Sequence, residues 1–216
     1  MDSVTVYRPA IILGDSQTGY STTFHGFYVP LKLVSTLLSR AAVPGVTREG
    51  MTEIIRLVSE RLREILELEG HESKNLVPVD WCSRVITEIF CREDLHDKTY
   101  HLTPRSKTPV RLIQDVMEEV FLEKMDTETG RSPESIDWEL FRRSFLDGMT
   151  VYRAYWKDDP TFDQTHVHEA LPDLPCPEMD RAAIRRMCRF AVDSNFGWPR
   201  SVPPLPAFDL HRRLEP

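Results

Sequence analysis

Hydrophobic and polar positions along the chain follow two periods in turn, and the first to appear is that of a strand. Val4, Val6, Ile11, Ile12 and Leu13 form an apolar, β-favouring run closed by Gly14-Asp15-Ser16, so a buried strand entering a loop is predicted. A polar turn over 21–26 follows. Between 25 and 42 the period changes, with Phe27, Leu31, Val34, Leu37 and Leu38 recurring at helical spacing until Pro44-Gly45 breaks it. Thr52 is the expected cap of a second helix that turns Ile54, Ile55, Val58, Leu62, Ile65 and Leu66 inward. Leu66-Glu67-Leu68-Glu69-Gly70 alternates, which leaves a short strand open there.

Further along, Asn75-Leu76-Val77-Pro78-Val79 reads as extended. Asp80 then stands where an N-cap belongs, before a helix with Val85, Ile86, Ile89 and Phe90 on its apolar face. Residues 99–103 read as a strand ended by Pro104. Thr108-Pro109 opens a helix to about Lys124, with proline at the first helical position, where its missing N–H costs nothing. Two more helices are predicted, 136–156 and 179–192, separated by a loop over 158–177 and followed by a proline-rich strap over 201–206. This order suits half of an α/β protein, residues 1–104, with a mostly helical appendage, residues 105–216.

Composition narrows the class. The 216 residues are 41% hydrophobic and 28% charged with a formal net charge of −7, which suits a protein with a sizeable core. Nucleic acid is not an expected partner, because phosphate binding needs a clustered basic face and here Arg56, Arg61 and Arg63 are interleaved with Glu60 and Glu64. No apolar run approaches the ~20 residues of a membrane span, and no basic-then-apolar leader is visible. Cys82, Cys91, Cys176 and Cys188 form no Cys-x-x-Cys pair, so free thiols in a reducing, cytoplasmic compartment are expected. Cys82, Cys91 and Cys188 read as small core residues.

Three apparent motifs fail on their own chemistry. Gly14 to Ser21 fits the P-loop frame except that Tyr20 replaces the lysine that reaches the phosphates. Tyr28-Val-Pro-Leu-Lys32 has the Tyr-x-x-x-Lys spacing of a dehydrogenase, but Pro30 disturbs the helix that such a pair needs. His166-x-His168 with Glu169 lacks further ligands at metal-binding spacing. Neither Gly-x-Ser-x-Gly nor Gly-x-Gly-x-x-Gly occurs, and without the latter there is no pyrophosphate cradle.

Arg8-Pro9-Ala10-Ile11-Ile12-Leu13-Gly14-Asp15-Ser16, with Thr18-Gly19 after it, resembles the sixth sheet strand of extended short-chain dehydrogenase/reductases, on the thioester-reductase and male-sterility-type (fatty acyl reductase-like) branch. Phe24-His25-Gly26-Phe27-Tyr28, Asn75 to Trp81, Tyr100-His101-Leu102-Thr103 and Phe162-Asp163-Gln164-Thr165 are similar to later elements of that family, in its order. The resemblance implies an α/β fold with the late strands of a Rossmann-like parallel sheet and a mostly helical substrate-binding lobe. It implies that Pro9, Ala10 and Ile11 line the nicotinamide end of NADP or NAD. Gly14, Asp15, Ser16, His25, Phe27 and Tyr28 would then border a small acyl or carbonyl substrate.

The bland readings stand beside these. Pro9 and Gly14 also read as shaping a strand exit, Asp80 as a cap, His25 as a turn residue, and Phe27, Tyr28 and Trp81 as core. With the fingerprint and catalytic pair missing, the resemblance implies the C-terminal portion of an NAD(P)H-dependent reductase, inactive alone and without catalytic residues of its own. Its expected partner is an N-terminal reductase half or a second copy. The alternative is a degenerate, non-catalytic lobe that binds a ligand or a protein.

Overall fold

The computed structural model of the chain describes residues 4–40, 48–124, 143 and 153–197. Strands β1 (Val6–Pro9) and β2 (Ile11–Leu13) come first, followed by helices α1 (Tyr28–Arg40) and α2 (Arg48–Leu66). Strands β3 (Ser73–Lys74) and β4 (Leu76–Pro78) lead into α3 (Val79–Phe90) and then β5 (Thr99–Leu102). Strand β6 (Thr108–Pro109) runs into α4 (Val110–Lys124). A 3-10 turn at Arg153–Trp156 precedes α5 (Thr165–Ala170) and α6 (Arg181–Asp193).

The opening strand changes partner halfway. β1 pairs parallel with β5, Val6 opposite Thr99 and Pro9 opposite Leu102. β2 pairs parallel with β4, Ile11 opposite Leu76 and Leu13 opposite Pro78. Val6 and Ala10 donate to the Lys98 and Leu102 carbonyls, whereas Ile11 donates to the Asn75 carbonyl. Successive N–H groups of a strand point to opposite edges. Even positions therefore face β5, odd positions face β4, and the odd edge beside Tyr7 has no strand neighbour among the described residues. The run predicted as buried is partly open: Val4 and Ile12 are exposed, Val6 and Ile11 half-buried, and Leu13 alone is buried.

Two apolar clusters hold the elements together. The first joins Leu13, Tyr28 and Leu31 to Ile55 and Val58 of α2, Ile113, Val116 and Val120 of α4, and Ile184, Met187 and Cys188 of α6. The second gathers Val77, Trp81, Val85, Ile89, Tyr100, Leu102 and Val167. Each fully buried aliphatic of this size contributes about 1.5–3 kcal/mol. Asp180 caps α6 by accepting from Ala183 N at 2.8 Å. The i, i+4 pair Arg181 and Arg185 meets Glu119 and Glu123 across α4, an exposed match that adds only ~0–1 kcal/mol per pair. Arg56 with Glu53 and Glu60, and Arg61 with Glu64, make the solvated face read from the sequence.

Several local expectations are corrected. Helix α2 starts at Arg48, so Thr52 lies inside it and is not the cap. The alternating 66–70 stretch is not a strand: α2 ends at Leu66 and Glu67 turns the chain with a φ of 55°. The strand comes later, at Ser73–Lys74, after Glu72 has accepted from the Glu69 and Gly70 amides. Thr108-Pro109 is still extended, antiparallel to β3, and the helix begins one residue on. The 158–177 loop contains α5, and 153–156 is a single 3-10 turn. Cys91 is exposed, whereas Cys82 and Cys188 are buried as expected. Of the helix predicted over 136–156, residues 136–142 and 144–152 lie outside the described residues, as does the 201–206 strap.

Candidate functional site at the strand exit

Beyond Leu13 the chain folds back on itself in a loop with little slack. A Cβ on Gly14 would stand 2.4 Å from the Gly19 carbonyl oxygen and 2.7 Å from that of Tyr20. Asp15 N donates to Tyr20 O and Gly19 N to Asp15 O, both at 2.8 Å. Gly19 has a φ of 74°, and a Cβ there would meet the Arg186 carbonyl of α6 at 2.5 Å. Only glycine fits both demands.

Each predicted polar residue of this loop has a structural partner. Asp15 Oδ1 accepts from the Thr18 hydroxyl and amide at 2.8 Å and from Gln17 N at 3.0 Å. The Thr18 hydroxyl, then its amide, holds this carboxyl below its ordinary range. Ser16 is buried, and its N–H and hydroxyl donate to Asp80 Oδ1 at 2.8 Å and Oδ2 at 2.7 Å. Arg186 Nε donates to Ser16 O at 3.0 Å. Asp80 thus sits in the first turn of α3 without capping it, the N-cap being Pro78. Its carboxylate joins α3 to the loop instead.

Tyr28 lies at the base of the same loop, and its phenol oxygen accepts from Gly14 N at 3.2 Å. Burial pushes the phenol up, the opposite of what a proton-transferring tyrosine needs. Phe27 is turned, with Ile11, into a cavity of about 10 Å³ shared with Lys74, Leu76, Ile113 and Trp156. His25 is exposed, and its carbonyl accepts from Tyr28 N at 3.0 Å. Pro9 and Ala10 sit at the change of partner, Pro9 outward and Ala10 packed against the second cluster. Apart from the exposed His25, the predicted residues therefore form three neighbouring groups: Gly14, Asp15, Ser16 and Tyr28 in the loop, Ile11 with Phe27, and Pro9 with Ala10.

Sequence reasoning missed three contributors. Arg186 carried no signal beyond a charge on a helix. Lys74 is almost wholly buried, ion-paired with Asp159 and donating to Lys157 O at 2.7 Å. With Asn75 N donating to Asp159 Oδ2 at 2.7 Å and Lys107 Nζ to Asp158 Oδ2 at 2.7 Å, it pins residues 157–160 on β3 and β4. Trp156 is held just before that clamp. Trp156 Nε1 and Thr103 Oγ1 are shielded from solvent and have no hydrogen-bond partner among the described residues, at a typical cost of about 1–3 kcal/mol each.

In an open α/β sheet, ligands lie beyond the carboxyl ends of parallel strands where the strand order switches. Pro9, Ala10 and Ile11 occupy such a point, and the orphaned Thr103 hydroxyl follows the carboxyl end of β5. Nothing among the described residues is a glycine-rich cradle for a dinucleotide's pyrophosphate. No cluster of three metal-ligating side chains occurs among the described residues, and no helix among them is long and apolar enough to cross a membrane.

Fold and strand exit together define an α/β protein: short parallel pairings of a Rossmann-like sheet with a mostly helical remainder. Two solved structures of similar shape are a terminal reductase domain and a thiolation-reductase di-domain. The terminal R domain from the myxalamid PKS-NRPS biosynthetic pathway is matched over 90% of this chain and 44% of its own, at 17% identity and a TM-score of 0.57. A thiolation-reductase di-domain from an archaeal non-ribosomal peptide synthetase is matched over 89% of this chain and 36% of its own, at 12% identity and a TM-score of 0.51. The chain thus spans less than half the length of either, and at these identities the likeness establishes the fold. No family model and no curated protein matches the sequence.

Proposed function

We propose that this chain is the C-terminal, substrate-side portion of an NAD(P)H-dependent short-chain reductase acting on an acyl thioester or related carbonyl. One observation carries the reading: the opening strand changes partner from β5 to β4 at Ala10 and, among the described residues, has no strand neighbour on its odd edge beside Tyr7. A parallel sheet interrupted on that edge suits a neighbour that brings the glycine-rich fingerprint and the Tyr-x-x-x-Lys pair. The shape shared with a terminal reductase domain and with a thiolation-reductase di-domain, each more than twice as long as this chain, supports the same division.

In this reading, residues 1–104 provide the late Rossmann strands and residues 105–216 the helical lobe. Pro9, Ala10 and Ile11 wall the nicotinamide, and Gly14, Asp15, Ser16, His25, Phe27 and Tyr28 border the substrate. When bound, the dinucleotide supplies the hydride that reduces the carbonyl carbon. This chain's own share is to fix the cleft wall and keep water from it. The Asp80–Ser16–Arg186 linkage does the fixing.

Two calorimetric titrations test the proposal. The 216-residue chain by itself should bind NADPH weakly and turn nothing over; tight stoichiometric binding would refute the division of labour. Adding a separately made N-terminal reductase segment should restore tight binding. If it does not, while sedimentation shows a stable monomer, the chain is a self-sufficient binding lobe.

A further inference from the structure

Helix α6 does not end in an ordinary cap. After Ser194 the next residues all turn left-handed, Asn195 with a φ of 50°, Phe196 of 53° and Gly197 of 72°, and Gly197 N closes the turn on Ser194 O at 3.0 Å. Asparagine and glycine take this conformation readily, but a bulky aromatic does not. Glu67 and Asp97 also have a positive φ, yet both are exposed turn residues, whereas Phe196 is buried. A strained backbone persists only where its surroundings hold it, and such places include switches.

What holds Phe196 is a row of rings. It meets Phe24 edge-to-face at 5.8 Å, Phe24 meets Tyr28 at 5.3 Å, and the Tyr28 phenol accepts from Gly14 N of the strand-exit loop. Phe196 belongs to the first apolar cluster, and Phe24 is half-buried against it. The neighbours of Phe24 are tied locally: Ser21 Oγ donates to Thr23 O, and the His25 and Gly26 carbonyls accept from Tyr28 and Val29 of α1. Gly26 has a φ of 47°, and a Cβ there would meet nothing within 4 Å, so the segment ends on a glycine with room to swing.

We propose that Phe196 is a strain-loaded latch on the 21–26 segment. Seated, it accepts a left-handed backbone in return for a buried ring on Phe24. Released, Phe196 regains an ordinary φ, Phe24 loses its neighbour, and the segment swings about Gly26. Burial and ring contact favour the seated state and backbone strain opposes them, so the released state is a minor one, within the roughly 0.1–10% typical of such equilibria. The latch is a property of this chain alone. That it opens the substrate side of the strand exit rests on the reductase reading, and its test needs neither cofactor nor turnover, so either can fail without the other.

Relaxation dispersion on the ¹⁵N-labelled 216-residue chain tests the latch. The Phe24, Gly26 and Gly197 amides should exchange on the μs–ms timescale at one common rate, with a minor population of at least about 1%. Phe196→Gly removes the ring and the strain together, so its Phe24 and Gly26 shifts should match those of the minor state. A chain made by ligation at Cys188, with D-phenylalanine at position 196, keeps the ring and relieves the strain. It should lower the released population by about tenfold. Flat dispersion in the parent, or exchange at Phe24 unrelated in rate to that at Gly197, overturns the proposal. So does a D-phenylalanine chain that exchanges as much as the parent. The parent measurement needs no variant, so it decides the matter even where a variant fails to fold.

Discussion

Asp80→Ala isolates the contact that holds the strand-exit loop against α3. The carboxylate accepts two hydrogen bonds from one residue, Ser16 N at 2.8 Å and Ser16 Oγ at 2.7 Å. A hydrogen bond to a charged group is worth about 1.5–3 kcal/mol, and the two share one half-buried acceptor, so they do not simply add. Removing Asp80 also leaves the N–H of a buried residue without its acceptor. About 2 kcal/mol is the expected loss. Ser16→Ala removes only the hydroxyl bond and should cost about 1 kcal/mol. In the double variant that hydroxyl bond has already been lost, so Ser16→Ala on the Asp80→Ala background should cost almost nothing. A coupling energy of about 1 kcal/mol is therefore expected, against the ~0.3–0.5 kcal/mol scatter of independent sites. Equilibrium urea unfolding of the four chains, followed by circular dichroism with linear extrapolation, measures it. Additive costs would refute the linkage and with it the claim that Asp80 fixes the loop.

Three further outcomes are expected. Gly19→Ala imposes about 1–2 kcal/mol of left-handed backbone strain as well as the 2.5 Å approach to the Arg186 carbonyl, and should lower the thermal midpoint by at least about 4 °C; a midpoint within error of the parent would show that the loop yields freely. Burial holds the Glu118 carboxyl above its ordinary range, so the folded chain binds this proton more tightly than the unfolded chain, and the site's contribution is lost as pH rises from about 4. Urea midpoints of Glu118→Gln and the parent should accordingly diverge in the variant's favour on going from pH 4 to 7, and parallel curves would contradict the direction. Amide exchange should distinguish the two edges of β1, Tyr7 exchanging much faster than Ala10, which donates to Leu102 O at 3.0 Å; equal protection would mean that the odd edge is covered.

Elements bounded by their own punctuation were legible in the sequence. β5 ends before Pro104, β4 and α3 follow the apolar run after Asn75, and α6 covers most of the predicted 179–192 helix. Where the deciding partner is distant, the local rule failed. Asp80 has the chemistry of a cap, but its acceptor oxygens are claimed by Ser16, 64 residues earlier. The pairing of Ser73–Lys74 with Thr108–Pro109 has no periodicity to detect, because two residues make no pattern. At six residues, α5 is too short for an apolar stripe to stand out in a stretch rich in proline and aspartate. Trp156 read as the end of a helix because nothing local announces the clamp at Lys74, Asp158 and Asp159 that follows it. Residues of the candidate site were found through the strand and its exit, and the groups that hold them rigid came from remote helices.

Pro9 links these observations. It lies on the odd edge of the opening strand, two residues after Tyr7 and two before Ile11, whose N–H begins the pairing with β4. A proline has no N–H to give and is tolerated in a sheet where no ladder bond is required of it. On the even edge the ladder with β5 is unaffected: Ala10 N still reaches Leu102 O. On the odd edge, Pro9 occupies the interval where an upstream neighbour beside Tyr7 would have to stop and β4 has yet to start. A strand docking there would gain the Tyr7 N–H and C=O and could not extend its ladder past Pro9 without colliding with the position of β4. The sequence signal Arg8-Pro9-Ala10 is therefore more than a strand exit: under the proposed division the proline marks the hand-over between two neighbours on one edge, of which β4 is the one that the described residues supply.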